Sequence, residues 1–154
     1  MRELLLDTVV FDFLLRDPAK IPIKSRLAIE QADTVFVSAV SLWELSNHVR
    51  DGKFTVSISY ESYFGRALRT HSLTLLSLQW KALEYTSSFP YQIATQSYEK
   101  TVDGKAMAGV KTVEHRDTFD RMLIAHALTG KHSVISPDTL FPMYEPLGLT
   151  VIWK

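Results

Sequence analysis

Cysteine is absent from the 154 residues, which excludes a disulfide framework and a thiolate metal site. An excess of either charge is absent too: 17 Lys and Arg stand against 17 Asp and Glu. No global basic field marks the chain as a nucleic-acid binder, though a local patch stays open if the acids gather elsewhere. No apolar run approaches the roughly 18 residues that a membrane-spanning helix needs. The leucine run at the N-terminus stops at Asp7, too short for a signal-peptide core. The expectation is a soluble cytoplasmic protein with no membrane partner. Also missing are a Walker A loop, a G-x-G-x-x-G turn and a nucleophile elbow with its Ser, His and Asp. His115, His126 and His132 are too scattered to suggest zinc by spacing, and His126 is expected at the surface. What is there is ordinary globular composition, 46% apolar and 22% charged, in a length that suits one domain, residues 1–154.

The most informative stretch is Glu114–Leu128, E-H-R-D-T-F-D-R-M-L-I-A-H-A-L. Asp117 reads as a helix N-cap, because a short carboxylate accepts from the free N–H groups of a first turn. Asp120 then falls at the third helical position. Leu123, Ile124, Ala127 and Leu128 follow at the spacing of a buried helix face, and Asp120 lies on that same face. A carboxylate pointing inward must be paired or bind metal. The plainer alternative is a first-turn acid that satisfies backbone N–H groups and the helix dipole.

Elsewhere short apolar runs alternate with helical patterns. Glu3–Leu6, Thr34–Val37, Leu73–Leu78, Ser133–Ser136 and Leu149–Trp153 read as strands. Thr8–Leu15, Pro22–Ala32, Ser41–Val49, Ser59–Thr70 and Gln79–Ser87 read as helices. In Pro22–Ala32 the inward residues are expected to be Ile23, Leu27 and Ile29. Alternation of this kind predicts an α/β sandwich with a central parallel sheet of about five strands. Tyr91–Val113 fits badly: it is long, polar and mixed, with Asp103-Gly104 as a turn signal. It is read as an inserted loop, either a lid whose Lys100, Lys105, Lys111, Tyr91 and Tyr98 suit single-stranded RNA or a plain solvated surface loop, or as an extra helix packed on the core.

Four acids fall where an open parallel sheet binds ligands, outside the carboxyl ends of its strands. Asp7 follows the first strand and Asp138 the fourth. Glu44 lies in the helix after the second strand, and Asp120 opens the helix that feeds the fourth. Singly, each has a structural reading as a cap, an Asx turn or a half-exposed side chain. Together, clustered carboxylates raise one another's pKa, and a hard divalent cation, Mg²⁺ or Mn²⁺, relieves the repulsion through oxygen ligands alone.

Four motifs in order, L-L-L-D-T, V-S-A-V-S-L-W-E-L, H-R-D-T-F-D-R-M-L-I-A-H-A and S-P-D-T-L-F, resemble the PIN-domain ribonucleases of the VapC toxin type. The resemblance implies a PIN-like three-layer α/β/α sandwich. It implies a Mg²⁺- or Mn²⁺-dependent endoribonuclease, the toxin of a type II toxin–antitoxin pair, with RNA as substrate, a small antitoxin protein as partner and a homodimeric state. It places catalysis and metal binding on Asp7, Glu44, Asp120 and Asp138, with Thr8 and Ser136 as the hydroxyl residues beside the first and last acids. Arg116 and Arg121, flanking the acid pair, are candidate phosphate contacts. Departures from the family pattern are Val9, Asp12, His48, Thr118 and above all the 91–113 insertion. Two alternatives are a PIN-like module that binds a partner without turnover, and a receiver-like phosphate-handling domain. The second lacks the lysine it wants at a late strand end, where Ser136-Pro137 stands instead.

Overall fold

Leu4, Leu5 and Leu6 have no exposed surface, as a strand covered on both faces requires. They belong to β1 (Glu3–Leu6), the first element of a computed structural model that describes residues 1–154. In chain order there follow α1 (Thr8–Arg16), α2 (Ile23–Glu30), β2 (Thr34–Ser38), α3 (Ala39–Arg50), α4 (Tyr60–Thr70), β3 (Thr74–Leu76) and α5 (Trp80–Ser88). Then come β4 (Gln92–Val102), β5 (Lys105–His115), α6 (Thr118–Gly130), β6 (Ser133–Ile135) and β7 (Val151–Ile152), with 3₁₀ turns at Pro18–Lys20 and Phe141–Leu147.

The main sheet is five-stranded and parallel throughout, in the order β3-β2-β1-β6-β7. Side chains of successive strand residues point to opposite faces, so the leucines of β1 serve both. Leu4 and Leu6 pack with Val10, Phe11, Leu45 and Phe64 from α1, α3 and α4. Leu5 packs with Leu123, Ile124 and Ala127 of α6 and with Phe141 and Tyr144. Truncating any one of the three to Ala is expected to cost about 2–5 kcal/mol. The chain winds outward from β1 to β2 and β3, then returns to β1's other side with β6. The switch point therefore lies between the carboxyl ends of β1 and β6, and Asp7 N–H donates to Ile135 O at 3.0 Å across it.

Three sequence expectations change here. Tyr91–Val113 is neither a loop nor a helix: β4 and β5 form an antiparallel ribbon separate from the main sheet, in continuous register from Gln92↔His115 to Val102↔Lys105. Asp103 and Gly104 both take positive φ, 50° and 75°, the conformation a two-residue hairpin turn demands. His126 is buried, not exposed, because α5 covers α6 on that side. Its Nδ1 lies 3.1 Å from Ser38 Oγ and its Nε2 accepts from Gln79 N–H at 3.4 Å. Ile23 and Leu27 face outward, and α2 turns Ser25 and Ala28 inward instead. The small serine lets the chain end close in: Ser25 N–H donates to Lys154 O at 2.9 Å, and Lys154 N–H donates to Ser25 Oγ at 3.0 Å.

Candidate active site

Asp7 sits at the N-cap of α1, but its side chain caps nothing. Its Oδ2 instead accepts from Ser136 Oγ–H at 2.6 Å, across the switch point. Ser136 Oγ also accepts from Asp138 N–H at 3.0 Å, and Asp138 Oδ1 accepts from Leu140 N–H at 2.7 Å. One buried hydroxyl thus fixes both Asp7 and the turn that carries Asp138.

Glu44 comes from α3, whose N-cap Ser38 accepts from Val40 N–H. Thr8 hydroxyl points at Ser41 Oγ, 2.9 Å away, tying α1 to the turn of α3 that precedes Glu44. The same hydroxyl lies close enough to Glu44 to ease its ionisation, and with a single proton it serves one acceptor at a time. Glu44 Oε2 is buried with no hydrogen-bond partner. Asp120 occupies the third position of α6, its N–H donating to the N-cap Asp117 Oδ1 at 2.9 Å.

Burial pushes Asp7 up from 3.8 to about 7, the Ser136 bond offsets part of the rise, and the charges of Asp120, Glu44 and Asp138 add to it. Burial also raises Glu44, helped by Asp120 and Asp117, and Asp120, helped by Asp117 and Asp138. The carboxylates therefore share one field. As the side chains stand, no three of these acids and histidines close into a coordination shell.

A model of the PIN domain matches residues 4–145, nearly the whole chain. The chain belongs to the PIN domain family. Among solved structures it is similar to a chain of VapBC2 from Rickettsia felis, crystallised bound to a DNA fragment from its promoter. The two share 11% identity over 99% of each chain, with a TM-score of 0.53, a likeness of fold. No curated protein matches the chain significantly. No helix of this PIN domain is long and apolar enough to cross a membrane.

The PIN domain thus brings Asp7, Glu44, Asp120 and Asp138 to one edge, and it buries three of the other candidates. Thr8 and Ser136 are buried and hold carboxylates or their helices. Arg121 is buried, contrary to its reading as a phosphate contact. Its guanidinium lies between the Phe89 and Tyr91 rings and donates to Phe89 O and to Pro90 O, the latter at 3.2 Å. Arg116 is exposed, but it pairs with Glu114 at 2.7 Å and lies 4.7 Å from the Tyr91 ring.

Sequence spacing overlooked His115. It is buried at the end of β5, with Nε2 3.2 Å from Asp120 Oδ2 and Nδ1 2.6 Å from Tyr144 OH. A neutral ring with its proton on Nε2 satisfies both contacts, donating to Asp120 and accepting from the phenol. The available signal was its position five residues before an inward acid, legible only once the preceding segment is known to be a strand.

Proposed function

We propose that this PIN domain is a metal-dependent endoribonuclease, the toxin of a toxin–antitoxin pair. PIN domains are in the main nucleases, and the fold likeness to a VapBC2 chain is consistent with the toxin role. The observation that carries the reading is the convergence of four carboxylates from four separate connections on the switch point, with Glu44 Oε2 buried and unpartnered among them. An orphaned anionic oxygen in a field of acids fits a cation, and an all-oxygen donor set fits Mg²⁺ or Mn²⁺. The open arrangement suits an ion that keeps several waters and needs only one or two direct carboxylates.

Asp7, Asp120, Asp138 and Glu44 would hold the cation. When bound, it supplies positive charge at the scissile phosphate. The chain does the rest. Ser136 holds Asp7 and the Asp138 turn in register with each other. His115 holds Asp120 by its Oδ2. Thr8 and Ser41 lock α1 to α3 so that Glu44 stays beside Asp7. Phosphodiester hydrolysis by in-line attack would leave a 5′-phosphate and a 3′-hydroxyl. RNA as the substrate, a small antitoxin that covers the acids, and a homodimer are the corresponding partners.

The test is cleavage of single-stranded RNA by purified protein with Mg²⁺ or Mn²⁺, and its loss in chelator. Cleavage that persists unchanged in chelator, or none under any divalent ion with the antitoxin removed, refutes the reading.

A further inference from the structure

The β4–β5 ribbon carries its charges on opposite faces. Strand residues alternate between faces, and the register pairs Gln96 with Lys111, Tyr98 with Gly109, Lys100 with Met107 and Val102 with Lys105. Lys100, Lys105 and Lys111 therefore share one face, and no acid stands on it. Glu99 and Glu114 share the other face, with no lysine. The chain as a whole is neutral, so this sorting is not the by-product of a general excess of one charge. None of the three lysines is in an ion pair.

The lysine face is also the one that carries His115, opposite Gln92. His115 reaches Asp120, so this face is the one turned toward the acids at the ribbon's root. Along the root of β4 the same face is half-buried while the other is exposed. At about 3.3 Å per residue, Lys111 stands roughly 13 Å and Lys105 roughly 33 Å along the ribbon from His115. Between them Tyr98 lies across the ribbon over Gly109, so close that a Cβ there would sit 2.7 Å from the ring. Lys100 Nζ is 5.9 Å from the centre of that ring.

Unpaired cations at intervals, an aromatic ring among them, and a root fastened to an acid site match one ligand chemistry. Phosphates need cations and unstacked bases need a ring, and only a single strand presents both. The other cations near the acids are committed, Arg116 to Glu114 and Arg121 to buried carbonyls. Carboxylates repel a polyanion, so the strand must be held from somewhere else. We infer that the lysine face of the hairpin guides the backbone of single-stranded RNA to the acid site. This rests on the nuclease reading above and adds which surface takes the substrate.

The test uses K100Q/K105Q/K111Q, with Glu99→Gln on the opposite face as control, both in an Asp7→Asn background that binds without cutting. Affinity for a fluorescein-labelled single-stranded RNA is read by anisotropy across a salt series, and Mn²⁺ affinity by calorimetry in the Asp7 parent. The triple variant is expected to flatten the slope of log K against log salt by about 2, three contacts at about 0.7 each. Mn²⁺ affinity and the Glu99→Gln slope should not move. A shortened ribbon, with an Asn-Gly turn in place of Tyr98–Gly109, keeps the His115 root and should flatten the slope by about 1.4. Unchanged slopes in both variants overturn the inference while metal-dependent cleavage still stands. Loss of Mn²⁺ affinity with the lysines overturns it as well, since the ribbon would then act through site geometry. Unchanged RNA binding with lost inhibition by the antitoxin assigns the face to a protein and overturns it too. If the parent neither binds nor cuts RNA, the inference falls together with the nuclease reading.

Discussion

Asp7→Asn should stabilise the metal-free protein, and the stabilisation should grow with pH. The carboxyl of Asp7 titrates near 3.8 in an unfolded chain and at about 7 in the fold. The folded state therefore holds a proton that the unfolded state has released across this window, so wild-type stability falls as pH rises from about 4 to about 7. At 1.36 kcal/mol per pH unit, the full span is roughly 4 kcal/mol, present at pH 8 and reduced to under about 1 kcal/mol at pH 4. Asparagine keeps the shape and the acceptor for Ser136 but carries no charge to bury. In a domain of this size, 4 kcal/mol corresponds to a melting temperature higher by roughly 8–16 °C. The measurement is urea and thermal unfolding of both proteins in chelator at pH 4, 6 and 8. Adding Mn²⁺ should then raise the melting temperature of the wild type more than that of the variant, since a ligand stabilises only the state it binds. A variant less stable than wild type at pH 8, or a gap that does not change with pH, would mean that the Asp7 carboxylate is a structural acceptor. The electrostatic account of the site would then be wrong.

Three further outcomes follow from the same geometry. Asp120→Asn should abolish RNA cleavage and weaken Mn²⁺ binding by calorimetry, whereas His115→Asn, which can still donate to Asp120, should retain more metal affinity than His115→Ala; equal losses in the two His115 variants would remove its positioning role. Burial lowers His126 from 6.5 to about 4, so it costs stability as pH falls from about 6.5 to 4, by roughly 3 kcal/mol at the acid end; His126→Gln should lack this acid loss in paired unfolding curves, and identical curves would refute it. A bound antitoxin should place a basic side chain among the four carboxylates and exclude the cation, so a complex that still binds Mn²⁺ and cuts RNA would contradict the site.

Much of the sheet and of the acid site was legible because both are tied to burial. Leu4–Leu6, Val35 with Val37, and Val134 with Ile135 are apolar runs, and strand ends follow directly from where such runs stop. Asp7 and Asp138 were found because they stand just beyond those ends, and Asp120 because the face of α6 is periodic. The hydroxyls were harder to assign. Ser136 and Thr8 were correctly placed beside the acids, but one-dimensional adjacency does not say whether a hydroxyl faces substrate or holds a carboxylate. Arg121 shows the same limit: it directly follows Asp120 in the sequence, yet Phe89 and Tyr91, about thirty positions earlier, capture its guanidinium.

The ribbon escaped the sequence reading for a different physical reason. Hydrophobic periodicity reports a face pressed against a core, and β4 and β5 press only their root against one. The half-buried face of β4 carries Gln92, Ala94, Gln96 and Tyr98 and most of the remaining ribbon is solvated, so no apolar rhythm emerges. The remaining signals were chemical: β-branched residues in both arms and Asp103-Gly104 midway, a turn pair that favours positive φ at both positions. An isolated two-stranded ribbon is marginal in water, and this one is held at its root by His115, between Asp120 and Tyr144. That anchoring ties the ribbon's alternation to the acid site. Because His115 must face Asp120, every second residue back along β5, Lys111 and Lys105 among them, is committed to the same side, and one residue more or fewer before His115 would turn the lysines away.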